Sequence, residues 1–406
     1  MQIYTGQTDT IFSATKRTLI VNRNLIAAAL TPLLIFSLAS TAVVAQDAAT
    51  STNSAVRPAL PPLPAAMNAP KPGPVSDAPY APQPILPGGV VVPLWPPGSP
   101  YLNPARVKEA EQYTMSRGVP GRIVNIVNIH NPSIEIHTVE GGGGAALILA
   151  AGGGHTTLNV GPESADFVPF FFNYGVTTII LRNRLKRDGY NPLTDEIYDA
   201  QQAIRLVRAH AKEWRIDPNK IGIMGFSAGA ELSAPAALFF DDFDKKNSDP
   251  SDPLAGISSR PDFVGILYPG PSPFRDHPDT PVPANTPPAF IACAGSGDRQ
   301  HAVWADQYFS AMITNGVPNV EMHIYGDGTH AGALSDRHDT PFGTWQLRFI
   351  DWFRDLGFLN KSGEQTKAAK DVETYMKQPP PRAEGGARRA QNAAAAAAPP
   401  SAAPTR

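Results

Sequence analysis

Hydrophobic positions between residues 88 and 360 fall into short buried-type runs alternating with stretches of helical period. Arg122–Ile129 and Ile134–Val139 read as two early strands, with Asn131-Pro132 as the turn between them. Ala146–Ala150 is a continuous apolar run that ends in Gly152-Gly153-Gly154. A helix is expected from roughly Glu163 to Tyr174, then a strand over Val176–Leu181. The clearest helix covers 195–214, where Ile197, Ala200, Ile204, Val207 and Ala211 recur on one face. Ile221–Met224, Phe263–Tyr268, Ala289–Ala294 and Val320–Tyr325 are further strands, with helices from about Val303 to Met312 and from about Phe342 to Phe353. Strands separated by helices predict an α/β fold: a mostly parallel sheet with helices on both faces, whose ligands sit at the carboxyl ends of the strands.

The ends of the chain have a different texture. Lys16, Arg17 and Arg23 precede an apolar run from about Leu25 to Val44, and Val43-Val44-Ala45 closes it with small residues. Residues 1–45 therefore read as an export signal cleaved after Ala45, placing the mature protein in the periplasm or outside the cell. Residues 46–87 are rich in Pro and Ala and too poor in large apolar groups to offset their ordering entropy, so a disordered spacer is expected there. Residues 361–406 hold eight Lys or Arg against four Asp or Glu before turning to Ala and Pro, the pattern of a low-complexity basic tail. The catalytic domain is thus expected over 88–360. Of the 43 prolines of the chain, 17 fall in these two flanks, more than twice their density elsewhere.

Composition then excludes several functions. A net charge of −2 gives no electrostatic footprint for nucleic acid. One cysteine, Cys293, permits no intramolecular disulfide. Neither a metal-ligand spacing nor a cofactor fingerprint is present, so no metal and no cofactor are expected. No stable membrane partner is expected either, unless the N-terminal apolar segment stays uncleaved.

The chemistry concentrates at Gly225-Phe226-Ser227-Ala228-Gly229, which directly follows a strand and precedes a helix. In that setting a G-x-S-x-G pentapeptide places a serine at the tip of a strained turn with its hydroxyl exposed. A serine needs a base oriented by an acid, and on this scaffold the chain order is serine, acid, histidine. Asp298, in the loop Gly295-Ser296-Gly297-Asp298 after a late strand, is the candidate acid. Asp276 and Asp279 lie in a proline-rich loop after a different strand, and Asp327 is too near the histidine in sequence. His330, in Gly326-Asp327-Gly328-Thr329-His330 after the last strand, is the candidate base. His323 falls within that strand, and His301 sits beside Asp298 as a supporting residue. The N–H of Ala228 and that of Gly153 or Gly154 are the candidate oxyanion donors. His155 and Glu231 are candidate substrate-binding residues; Glu231 also suits the dipole of the helix that follows Ser227.

Taken together, these pieces resemble the acetylxylan-esterase-like and feruloyl-esterase-like carbohydrate esterases of the α/β-hydrolase superfamily. The resemblance spans about 90–358. It rests on Val92–Gly98, the strand before Gly152-Gly153-Gly154, Asp199-Ala200 through Arg208, Ile216–Ile221, Gly225–Gly229 and Arg260–Phe263. It implies Ser227, Asp298 and His330 as a catalytic triad acting on a small-molecule or oligosaccharide ester. Many relatives carry an aromatic residue at His155, a glycine at Ala230, a histidine at Glu231 and a tyrosine near Asn183, so the substrate pockets are expected to differ. A peptidase or lipase on the same fold is the alternative activity, and a non-catalytic surface-binding protein the alternative of another class. The proline-rich loop from about Pro269 to Pro288 is placed to form a partial lid.

Overall fold

The computed structural model describes residues 78–331 and 341–359. The expected export signal over 1–45, residues 46–77 of the expected spacer and the basic tail over 361–406 lie outside the described residues.

Eight strands form one sheet. In chain order they are β1 (Val90–Pro93), β4 (Ser133–His137), β5 (Ala146–Ala150), β6 (Thr177–Arg182), β7 (Ile221–Phe226), β8 (Phe263–Leu267), β9 (Ala289–Ala294) and β10 (Glu321–Tyr325). Their spatial order is β1-β4-β6-β5-β7-β8-β9-β10. From β6 to β10 every neighbour is parallel, whereas β4 runs antiparallel to both β1 and β6. Every residue of β5 to β9 is buried. Helices on both faces leave such strands no solvent side, so they read as unbroken apolar runs.

The helices are α1 (Phe167–Asn173), α2 (Asp195–Ala209), α3 (Ala228–Leu238), α4 (Phe240–Lys246), α5 (Arg299–Thr314) and α6 (Trp345–Asp355). One π-turn over Gly161–Ala165 leads into α1, so the helix expected from Glu163 begins as a wider coil. Phe167, Phe226, Phe263, Trp345, Phe349 and Phe353 are buried and pack the sheet to α1 and α6. Among the described residues no helix is long and apolar enough to cross a membrane.

Two expectations need correction. The early strands are not paired across Asn131-Pro132. β3 (Ile123–Val127) joins β2 (Gln112–Met115) in a separate two-stranded sheet, while β4 enters the main sheet between β1 and β6. Alternating hydrophobicity marks a strand but not its partner. The ordered domain also begins before residue 88. Ile85 is 3% exposed, and the N–H groups of Ile85 and Leu86 donate to the Glu135 carboxylate. Glu135 is fully buried beside Arg182, whose guanidinium also meets Glu111 at 3.0 Å and the Gln83 carbonyl. Residues 83–86 therefore supply acceptors and donors that this buried ionic cluster needs. The end of the proline-rich segment is part of the fold.

Candidate active site

Ser227 lies between β7 and α3 with φ 53 and ψ −118. A non-glycine residue enters that region only when its surroundings hold it there. They do so by close packing. A Cβ on Gly225 would stand 2.1 Å from the Gly229 carbonyl oxygen, and one on Gly229 would stand 1.9 Å from that of Ala150. The two glycines let the turn fold back on itself and seat α3 against β5. The Ser227 N–H donates to the Leu267 carbonyl at 3.0 Å, tying the turn to β8.

His330 follows β10 in a loop held to the Asp298 loop by a parallel bridge between Gly297 and Thr329. Its Nε2 is 2.9 Å from Ser227 Oγ, and its Nδ1 is 2.8 Å from Asp298 Oδ2. A carboxylate only accepts, so Nδ1 carries the proton toward Asp298 and Nε2 is left to accept from the serine hydroxyl. Asp298 is the N-cap of α5, and its side chain is 6% exposed. Its other oxygen, Oδ1, accepts from His301 Nδ1 at 2.5 Å. Asp298, His301 and His330 bring three ligand-type atoms within 4.8 Å of one another. Those atoms are engaged with each other through the bonds just given.

Ala228 is the first residue of α3, where helix geometry leaves the N–H without an internal acceptor. Gly152–Gly154 follow β5, the strand beside β7. The Gly152 N–H is taken by Glu163 Oε2 at 2.7 Å. The N–H groups of Gly153 and Gly154 find no acceptor among the described residues. Three N–H groups are thus available near Ser227: a Cβ on Gly152 would lie only 2.8 Å from the Ser227 Cβ.

Of the other expected residues, His155 ends the glycine loop, with Nδ1 2.8 Å from Glu196 Oε2 and Nε2 3.3 Å from Glu231 Oε2. Glu231 lies in the first turn of α3. His323 faces Glu321 on β10 at 2.6 Å, away from this group. Asp276 pairs with Arg275 in an exposed loop, and Asp327 accepts the N–H of Gly328.

Three residues escaped the sequence reading. Glu163 is 2% exposed and accepts both the Gly152 N–H and, at 2.9 Å, the Tyr268 hydroxyl. Burial raises its carboxyl to about 7, although both hydrogen bonds oppose the rise. Tyr268 continues β8 with φ 35, and its ring meets the edge or face of His330 at 5.0 Å. Its hydroxyl pKa is pushed well up, by burial first and then by the Glu163 charge. Glu196 belongs to the helix read from sequence and is 1% exposed beside its apolar stripe, but a search for apolar periodicity passes over a buried carboxylate. None of the three stands in a short motif.

Comparison with known proteins agrees with this architecture. Residues 139–257 match the BD-FAE family model. An acetylxylan esterase of Xylanibacter ruminicola is 29% identical over 216 residues, covering 46% of this chain and 39% of that protein. The endo-1,4-beta-xylanase B of Butyrivibrio fibrisolvens is 35% identical over 100 residues, covering 24% of this chain and 15% of that one. The chain thus spans well under half the length of either relative. Among solved structures, the acetyl ester-xyloside bifunctional hydrolase of Caldicellulosiruptor lactoaceticus superposes with a TM-score of 0.54 at 25% identity, covering 67% of this chain and 98% of that one. Esterase 2 of Thermogutta terrifontis, at 20% identity and a TM-score of 0.50 over 68% of this chain and 97% of that one, shares the fold. The chain has the α/β-hydrolase fold, and part of its sequence is similar to the BD-FAE family and to an acetylxylan esterase.

Proposed function

We propose that this protein is an exported serine esterase that removes acyl groups, acetyl above all, from carbohydrate esters. The observation that carries the reading is the line from Ser227 Oγ through His330 to Asp298, 2.9 Å and 2.8 Å long, at the carboxyl edge of the parallel sheet. The acetylxylan esterase and acetyl ester-xyloside hydrolase among its relatives support the substrate class. The export signal read over 1–45 supports delivery to an extracytoplasmic polysaccharide.

In this reading Ser227 Oγ attacks the ester carbonyl carbon while His330 Nε2 takes the hydroxyl proton. The carbonyl oxygen becomes an oxyanion facing the N–H of Ala228 and of Gly153 or Gly154, donors worth about 3 kcal/mol of barrier each. Collapse breaks the bond to the sugar oxygen, which leaves with the proton from His330. Water then attacks the acyl-serine, His330 takes its proton, and the carboxylic acid departs as Ser227 Oγ regains one. Asp298 holds the ring and favours the imidazolium formed in each half-reaction.

The test is hydrolysis of 4-nitrophenyl acetate, butyrate and octanoate, acetylated xylan and methyl ferulate by the protein and by Ser227→Ala. Acetate release from xylan that falls by about a thousandfold or more in the variant is the expected result. Turnover of none of these esters, or turnover indifferent to Ser227, would overturn the proposal.

A further inference from the structure

A second charged cluster stands beside the nucleophile. The backbone passes through Gly153 (φ 129), Gly154 (φ 61) and His155 (φ 57), three successive residues in the left-handed region. Histidine enters that region at a cost glycine does not bear, so its side chain must be held. It is held from two sides. Nδ1 faces Glu196 in the first turn of α2, and Nε2 faces Glu231 in the first turn of α3, the helix that starts at the nucleophile. Both acceptors are themselves fixed. Glu196 takes the Lys186 N–H at 3.0 Å and Asn183 Nδ2 at 3.3 Å, and Glu231 lies against Gly270, where a Cβ would fall 1.7 Å from its Oε1. The His155 carbonyl accepts the Arg187 N–H at 3.1 Å. Two carboxylates can only accept, so both ring nitrogens are satisfied together only in the imidazolium.

We propose that His155, as the cation bridging Glu196 and Glu231, is a positioning residue that locks the oxyanion loop to the helix carrying the nucleophile. The proposal rests on the serine-esterase reading above and names what holds its two halves in register. The Gly153 and Gly154 donors belong to the loop after β5 and the Ala228 donor to α3; the sheet joins them only at their roots. Charge-assisted bonds from one ring to α2 and α3 close the open end. An oxyanion hole misplaced by about an ångström loses much of its effect, so the bridge acts on kcat and not on ground-state binding.

Burial alone would depress the His155 pKa; the bonds to Glu196 and Glu231 outweigh it and raise the pKa to about 9. Other charges reach this corner through the two carboxylates: Arg275, from the β8–β9 loop, and His301, from α5, act through Glu231, and Asp199 of α2 acts on Glu196, whose own pKa is raised mainly by burial. The bridge should therefore open above about pH 9.

The experiment is steady-state hydrolysis of 4-nitrophenyl acetate from about pH 6 to about pH 10 by the wild type, His155→Gln, Glu231→Gln and Glu196→Gln. It is paired with amide hydrogen exchange over residues 152–158. His155→Gln should lower kcat about tenfold with KM within about twofold, abolish an alkaline decline centred near 9 and speed exchange in the loop. Glu231→Gln and Glu196→Gln should each move that decline to lower pH, which a merely structural role would not do. A His155→Gln enzyme with wild-type kcat, an unchanged alkaline limb and unchanged exchange would overturn the proposal. If the wild type shows no serine-dependent turnover, the esterase reading fails, and the exchange rates still decide whether the bridge holds the loop.

Discussion

His301 lies almost face to face with His330, ring centroids 4.0 Å apart and planes 31° from parallel, with both Nδ1 atoms on the same carboxylate. Burial lowers the His301 pKa, and the neighbouring His330 lowers it further, against the pull of Asp298. His301 is therefore the neutral partner. It fixes the carboxylate without placing a second positive charge against the imidazolium that the proposed mechanism forms on His330. His301→Ala should cut kcat/KM about three- to tenfold, the loss of one hydrogen bond that orients the acid, with most of the change in kcat. Steady-state kinetics on 4-nitrophenyl acetate check it; an unchanged kcat would leave His301 only a packing role.

Glu163 sets stability against positioning. Its folded carboxyl keeps a proton up to about 7, whereas the unfolded chain loses it near 4.5. Stability therefore declines as pH rises through that window, and above it the ionised, buried group costs about 3 kcal/mol at most. Glu163→Gln can still accept the Gly152 N–H and can donate to the Tyr268 oxygen. It should raise the melting temperature at about pH 8 by several degrees and leave it unchanged near pH 4.5. Thermal melts at both pH values decide the matter, and equal shifts at the two would remove the charge from the explanation.

Gly229 and Gly154 make opposite demands. A Cβ on Gly229 would strike the Ala150 carbonyl at 1.9 Å, backbone against backbone, whereas one on Gly154 meets nothing within 4 Å. Gly229→Ala should destabilise by about 3 kcal/mol or more, because α3 must move off the sheet. Gly154→Ala bears only the left-handed backbone strain, about 1–2 kcal/mol. Urea unfolding of the two variants should separate them, and equal losses would mean that close packing does not hold the turn.

What was legible in the sequence follows from where its signals are local. The buried parallel strands are unbroken apolar runs, and Gly225 and Gly229 flank Ser227 within five residues, so both could be read directly. Asp298 and His330 could be picked because each follows a strand, and the structure brings them to Ser227. Glu163 and Tyr268 were missed because their meaning depends on a contact 105 residues apart in sequence. The partner of β3 and the role of Ile85 were missed for the same reason: strand pairing and anchoring of a proline-rich segment are tertiary choices.

The β8–β9 loop supplies the last prediction. It starts at Tyr268, whose ring packs on His330, and the Gly270 N–H lies 3.5 Å from the Ser227 carbonyl. Ser272 and Phe274 are buried, and the Phe274 ring packs 6.0 Å from that of Tyr308, so the start of the loop is pinned. Residues 275–279 are exposed. Val282 packs against the core, the Asn285 carbonyl accepts from Arg260 and Thr286 is buried, so only about residues 275–281 are free to cover a substrate, a narrower stretch than the 269–288 span expected from the placement of this proline-rich loop. Replacing residues 275–281 with a short Gly/Ser bridge should leave kcat for 4-nitrophenyl acetate within about twofold, since that ester needs only Ser227 and the N–H groups beside it. The same change should raise KM for acetylated xylan, or shift preference toward longer acyl chains, by about threefold or more, the result expected of a loop that covers groups beyond the acetyl. Competition between acetate and octanoate esters, run beside xylan deacetylation, measures both. Unchanged selectivity on all of them would mean that the loop covers no part of the substrate.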